Sequence, residues 1–305
     1  MDRHSLVTGM HRSGTTMMGD IIRRATGNIA VLHEPLNFQL GIKGVPCWYP
    51  SACQPEARDL VSQILSLDVA YRRWVRLDES FARTMGRFLL GGAGSRSLVQ
   101  AKRIKASFGD SFSLCVKDPF ALLLTELFSG HGARSVVMVR HPAALYLSMR
   151  RMNWSFNFKH LSSLREHPLS ERLDEAVFLA IDMDLPSQVG LLWKTLYFLA
   201  SENAKNDERV MFVRHEDFCI RPFETISDVL NHLKLPSSPA LIKEVSDMTS
   251  GSDANVGGKR LHNMKRDSGE LAFSWKKYAR DEEILKVKDS VGDAIQLFYR
   301  SWDEL

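Results

Sequence analysis

The chain has 305 residues, of which 44% are hydrophobic and 25% charged, with 16 Phe and 6 Trp. This composition supplies a large apolar core and excludes a disordered or collagen-like chain. The net charge of +4 is too small to mark a nucleic-acid binder and suits a small anionic ligand equally well.

The opening residues read as strand, glycine loop, helix, strand. His4–Thr8 is a short strand-like run, Gly9–Gly14 a loop, and Thr15–Ala25 helical in composition until Gly27-Asn28 breaks it. Ile29–Leu32 is a compact apolar run of the buried-strand type. A βαβ beginning implies a parallel sheet covered by helices. Similar runs follow at Leu114–Lys117, Ser135–Arg140 and Arg209–Arg214, leading into segments that start at Pro119, Pro142 and Pro222. Proline suits the first turn of a helix, where its missing N–H breaks no bond. About five strands alternating with helices make a doubly wound α/β sheet of the P-loop type the expected fold.

The longer stretches at about residues 36–110 and 154–205 contain helix-like runs such as Pro55–Leu67 and Asp68–Leu90. They are expected to cover the site, within a single domain spanning residues 1–305. Residues 250–270 are rich in Gly, Ser and Asn and basic, which suggests a mobile segment. A final helix is expected over Asp281–Tyr299, its acidic first turn suited to the helix dipole. No run approaches the ~18 apolar residues of a membrane span. Met1 leads into the first strand without a signal peptide, which points to a cytoplasmic protein, although a chain trimmed of a leader would read the same. The four cysteines (Cys47, Cys53, Cys115, Cys219) show no zinc spacing. Cys47 and Cys53 share a loop, which is weak evidence for a disulfide.

Gly9-Met-His-Arg-Ser-Gly14-Thr15-Thr16 has the G-x-x-x-x-G spacing of a P-loop between a strand and a helix. Backbone N–H groups and the helix N-terminus in such a loop point at an anion. The nucleoside-triphosphate version continues with Lys, which an NTPase needs against the β- and γ-phosphates. Here Thr15 stands in that place and the positive charge sits earlier, at Arg12. His11-Arg-Ser-Gly-Thr-Thr16 resembles the 5′-phosphosulfate loop of sulfotransferases that use PAPS (3′-phosphoadenosine-5′-phosphosulfate), in the arginine form of carbohydrate and bacterial members. Cytosolic members carry lysine at the Arg12 position. A phosphate and a sulfate together carry less charge than a triphosphate, and the loop can do without the lysine and a magnesium ion.

A separate site should hold the 3′-phosphate of this donor, from Arg and hydroxyl donors. Arg140 ends a strand before His141-Pro142, and Ser148 follows eight residues later in the next helix. This is similar to the family's 3′-phosphate motif. Phe212-Val-Arg-His-Glu-Asp217 resembles the family strand that ends in Tyr-Glu-Asp, with His215 where tyrosine often meets the adenine. Lys265-Arg-Asp-Ser268 with Trp275-Lys276-Lys277 resembles the basic loop that closes over the 3′-phosphate, implicating Arg266 and Ser268. A solvated basic loop explains that stretch equally well.

The resemblance also implies catalytic groups. His33-Glu34-Pro35 follows the second strand, where carbohydrate sulfotransferases often carry a catalytic glutamate, so Glu34 is the expected general base. An ion pair with Arg12 or Lys117 is its structural alternative, and His33 is the rival base. Neighbouring residues at a strand end face opposite ways, so one of the two should face away from the site. Lys117 holds the place of the family lysine that contacts the sulfuryl group. The histidine of that Lys-x-His motif is replaced by Pro119, which favours Glu34 over a histidine base. Asp118 is a distant third candidate for the base and reads better as a helix cap before Pro119. No metal is required, and PAP is the nucleotide product. The acceptor hydroxyl leans toward a carbohydrate or glycolipid. Trp48, Tyr49, Trp74, Trp154, Phe156 and Phe158 could stack on sugar rings, although a core role is the better reading. The rival functions are a P-loop kinase or NTPase and a catalytically inactive nucleotide-binding module.

Overall fold

The computed structural model describes residues 4–26, 29–71, 96–108, 112–179, 183–236, 238–240, 242–243 and 272–304. Five strands, β1 (His4–Gly9), β2 (Ala30–His33), β3 (Leu114–Lys117), β4 (Arg134–Val139) and β5 (Val210–Arg214), form one sheet in the order β2-β3-β1-β4-β5. All neighbours are parallel, so every strand ends at the same edge. Lys117 lies beside His33 on one side and Val7 on the other. Gly9 lies beside Met138, and Val139 beside Arg214.

Alternation along the strands sends side chains to two cores. Leu6, Leu32, Val116, Val137 and Val139 join one of them, and Val7, Val31, Cys115, Val136 and Met138 join the other. Helix α1 (Thr15–Thr26) covers the second core through Met18, Ile21 and Ile22. The first core takes in α2 (Ala57–Ser66), α3 (Arg96–Phe108), α4 (Thr125–Gly130), α5 (Pro142–Met152), α6 (Ala176–Leu179) and α7 (Leu185–Asn203). Beyond β5, α8 (His215–Ile220) and α9 (Pro222–His232) return to the second core through Phe218, Ile226 and Val229. Helices α10 (Ser274–Tyr278) and α11 (Asp281–Val291) finish on the first core through Trp275 and Val287. Cores on both faces are what a doubly wound sheet requires, and the expected fold class is borne out.

Several boundaries differ from the sequence reading. Arg140 lies one residue beyond β4. Pro119 begins a 3-10 helix (Pro119–Leu124) rather than an α-helix. The last α-helix stops at Val291, because Gly292 takes φ 54 and a 3-10 turn (Gly292–Leu297) follows. Leu67, at φ 56, ends α2. Of the run Asp68–Leu90 only residues 68–71 are described, and they are not helical, with Tyr71 bridging Ile42. The Gly/Ser/Asn-rich segment at 250–270 lies outside the described residues. All four cysteines are free thiols. No helix among the described residues is long and apolar enough to cross a membrane.

Candidate active site

The loop after β1 is built to expose backbone. Ser13 N–H turns back to Met10 O at 3.0 Å, and Arg12 sits at φ 73. Gly14 has φ 101, and a Cβ there would stand 2.7 Å from Cδ2 of His215, so a side chain is excluded twice over. Thr15 and Thr16 open α1, whose first-turn amides lack intrahelical acceptors and face outward. The His11 amide is engaged elsewhere, donating to Tyr49 Oη at 2.9 Å. Behind the loop, Tyr197 of α7 accepts from Met10 N–H (3.2 Å) and donates to Met138 O (2.7 Å), tying it to β4.

At the carboxyl ends of β2 and β3 an ion pair has formed. Lys117 Nζ donates to Glu34 Oε1 at 2.6 Å and to Thr16 Oγ1 at 3.0 Å. Glu34 N–H bonds Lys117 O at 2.7 Å, so the strand register itself carries the carboxylate to the lysine. Glu34 Oε2 accepts a longer bond, 3.3 Å, from Asn37 Nδ2. Burial pushes the Glu34 pKa up, but the Lys117 charge and hydrogen bond, the Asn37 bond and the nearby His33 outweigh it and hold it below the usual carboxylate range. Glu34 faces the cavity, whereas His33 is buried and does not line it. Asp118 caps the 3-10 helix by accepting from Phe120 N–H, and it also accepts from Leu36 N–H at 2.6 Å. It is fully buried; burial and then the Glu34 charge raise its pKa to about 7.

The predicted 3′-phosphate pair meets the P-loop directly. Arg140 donates to Arg12 O at 3.0 Å, and Arg12 Nε donates to Ser148 Oγ at 3.1 Å. Burial lowers the pKa of both arginines, and Arg140 lowers that of Arg12 further. Arg140 Nε is buried without a hydrogen-bond partner among the described residues. Two close guanidiniums with an unanswered N–H form a donor set suited to phosphate. His215, expected near the adenine, is buried against Gly14 and does not line the cavity. Glu216 accepts from His141 N–H and the Tyr299 hydroxyl, a structural role at 3.0 and 2.9 Å. Arg266 and Ser268 lie outside the described residues.

A family model described as a sulfotransferase domain matches residues 2–289. The chain belongs to the sulfotransferase family. Its members are enzymes, and the lysine-free P-loop is accounted for without an NTPase. No curated protein sequence matches the chain. Solved structures similar to it include the mouse sulfotransferase SULT7A1 complexed with PAP (12% identity, 95% of this chain and 83% of that one, TM-score 0.44). A sulfotransferase domain from the curacin biosynthetic pathway gives 13% identity over 94% and 96%, with TM-score 0.47. The sulfotransferase STF9 from Mycobacterium avium gives 13% identity over 97% and 77%, with TM-score 0.45.

In this sulfotransferase a cavity of about 700 Å³ is lined by the P-loop, Glu34 and a set of aromatic side chains. Arg12, Thr15, Thr16 and Arg140 supply its cationic and hydroxyl groups. Trp48, Phe120, Trp154 and Phe156 supply its aromatic faces, and Asn37, Gln39 and Asn157 also line it. The Arg12 guanidinium lies 5.4 Å from the Trp154 ring centre, a cation–π contact that joins the two sets. Of the aromatics singled out in the sequence, Tyr49 and Phe158 are core. Trp48, Trp154 and Phe156 face the cavity, and Trp74 lies outside the described residues. Sequence reasoning missed Asn37 and the Tyr49–His11 contact, because a three-residue turn and a contact across 38 positions leave no periodic signal.

Proposed function

We propose that this sulfotransferase transfers the sulfuryl group of PAPS to a hydroxyl of a carbohydrate or glycolipid, with Glu34 as general base. The observation that carries this reading is the meeting of Glu34, Lys117 and Thr16 beside one cavity that arginine and aromatic side chains both line.

The loop amides, Ser13 and Gly14 through Thr16, together with Arg12, hold the 5′-phosphosulfate. Arg140 and Ser148 hold the 3′-phosphate, with Arg266 and Ser268 as further contacts; His215, packed against Gly14 and away from the cavity, supports the loop from behind. Glu34 takes the acceptor proton through Oε2, the oxygen that Lys117 leaves free, as the acceptor oxygen bonds to sulfur. The bond from sulfur to the bridging oxygen breaks and PAP departs. Lys117 and Arg12 donate to the oxygens on which charge develops, a contribution of the kind worth on the order of 10²–10³ in rate per donor. Trp48 and Trp154 offer flat apolar faces beside the carboxamides of Asn37, Gln39 and Asn157. That mixture matches a sugar, which has an apolar ring face and a polar rim.

Thermal unfolding with nucleotides tests the donor: PAP is expected to raise the midpoint and ATP with magnesium is not, and the reverse pattern would return the chain to the kinase reading. Glu34→Gln tests the base. It is expected to keep the PAP-induced shift while losing transfer by about 10²–10⁴-fold. Normal transfer by that variant removes Glu34 from the role.

A further inference from the structure

His11 opens the stretch that resembles the 5′-phosphosulfate loop, but its amide is engaged by Tyr49 and its side chain is held in an arrangement of its own. His11 lines the cavity, with its ring close to parallel with Phe156 (centroids 6.2 Å, 20° between planes) and Phe120 (6.4 Å, 28°). Tyr49 Oη stands 2.6 Å from His11 Nδ1 and accepts the His11 amide N–H at 2.9 Å.

The proton count in this pair has one solution. Tyr49 is fully buried, and a buried hydroxyl needs an acceptor for its proton. Its described partners are the His11 amide, which is a donor, and His11 Nδ1. The phenol proton therefore goes to Nδ1, which must be bare, and the neutral ring carries its own proton on Nε2. Burial, and then the Arg12 charge, hold the His11 pKa down at about 4, so the ring does not take up a second proton near neutrality. Among the described residues Nε2 has no hydrogen-bond partner. It is also not among the fully buried orphan atoms, which leaves it accessible on a residue that lines the cavity.

We propose that His11 is a specificity-determining residue whose Nε2–H, fixed in that tautomer by Tyr49, donates a hydrogen bond to a second oxygen of the acceptor, next to the hydroxyl that is sulfated. The inference rests on the sulfuryl-transfer reading of this cavity and sharpens it. A mono-alcohol would leave a polar donor unanswered in an apolar wall, whereas a vicinal diol or a ring oxygen beside the reacting hydroxyl would answer it. Sites that hydrogen-bond a substrate group discriminate against analogues that lack it, because the protein partner is then left unpaired. His11 acts here as a donor only. It neither removes the acceptor proton nor competes with Glu34.

The test has two arms on the full chain. Nitrogen-15 spectra of the histidines at neutral pH are expected to show His11 with a bare Nδ1 and a protonated Nε2, and Tyr49→Phe is expected to disturb that assignment. In the second arm, sulfate transfer is measured onto 4-nitrophenyl β-glycosides and their monodeoxy analogues. One deoxy position is expected to raise the wild-type KM by about tenfold, the worth of one hydrogen bond, with kcat little changed. His11→Asn, which cannot reach, should lose that discrimination. His11→Gln, whose amide N–H can stand where Nε2–H stood, should restore most of it. The melting midpoint without ligand should stay within a few degrees of wild type in every variant and serves as the control for folding. A protonated Nδ1, a His11→Asn enzyme that still discriminates, or transfer confined to acceptors without a second oxygen would each overturn the proposal. A wild-type protein that PAP fails to stabilise strikes the donor reading instead, so the two failures are told apart.

Discussion

Arg12 and Glu34, which both line the cavity, both sit in left-handed backbone, at φ 73 and 50. For residues other than glycine that region costs on the order of 1–3 kcal/mol each and persists only where surrounding contacts impose it. Here the contacts are visible: Arg140 clasps Arg12 O, and Glu34 N–H is held by Lys117 O. Lys117 then decides the chemistry of the carboxylate, because burial alone would raise the Glu34 pKa and the lysine reverses the sign. In its proposed role as base, a carboxylate with a depressed pKa stays ionised through neutrality and loses that role only as pH falls through the low value. The stability it contributes follows the same course, present above the unfolded pKa of about 4.3 and lost as pH falls through the native one. Lys117→Met is expected to move the acid limb of kcat/KM to higher pH, since burial is then opposed only by the Asn37 bond and the nearby His33. A pH profile measured on the variant checks this, and an unmoved limb would show that Lys117 does not set the base.

At the scale of the element, α1 does more than present its N-terminus. Gly19, in the middle of that helix, faces the Lys117 stem so closely that a Cβ would lie 2.9 Å from Lys117 Cγ and 3.2 Å from its Cβ. Glycine in a helix costs roughly 0.5–1 kcal/mol against alanine, and what it provides here is the passage through which Lys117 reaches Glu34 and Thr16. Gly19→Ala is expected to gain helix propensity and yet shift the lysine, leaving the melting midpoint within a few degrees of wild type while kcat falls by about tenfold or more, the loss of an electrostatic donor from alignment. Unaltered kcat with a normal midpoint would mean that the lysine stem is free to move aside. Glycine spacing at the loop was readable from sequence because the P-loop pattern is local. Gly19 was not, because its reason lies on β3, almost a hundred residues away. The same distinction separates Pro142, a helix start that was read correctly, from Gly292, whose positive φ ended α11 where composition ran on to Tyr299.

For the whole molecule, the residues proposed to bind the donor come from the loop after β1, the end of β4 and the first turn of α1, while Glu34 follows β2 and Lys117 ends β3. A ligand that bridges these elements stabilises only the folded state. At about a hundred times its dissociation constant it should add about 2.7 kcal/mol, and Arg140→Ala is expected to reduce the PAP-induced shift at equal ligand concentration. A shift equal to that of wild type would place the 3′-phosphate elsewhere. The sheet, its parallel sense, the lysine-free loop and the placing of Glu34, Lys117 and Arg140 at strand ends were all legible in the sequence. Each depends on patterns within a few residues: apolar runs, prolines, glycines and a charge at a boundary. Contacts between distant segments were not legible. The order β2-β3-β1 brings Lys117 between the first two strands and against Glu34. Only folding also sets Tyr49 against His11, Arg12 against Ser148, and the aromatic side chains against the loop. Sequence by itself determined the strands, the anion loop and the residues that end at the sheet edge, because local sterics and periodicity encode them. The tertiary structure decided which of those residues touch, and therefore the protonation of Glu34 and the tautomer of His11, because charge and hydrogen bonding depend on distances that the chain sets only when it closes on itself.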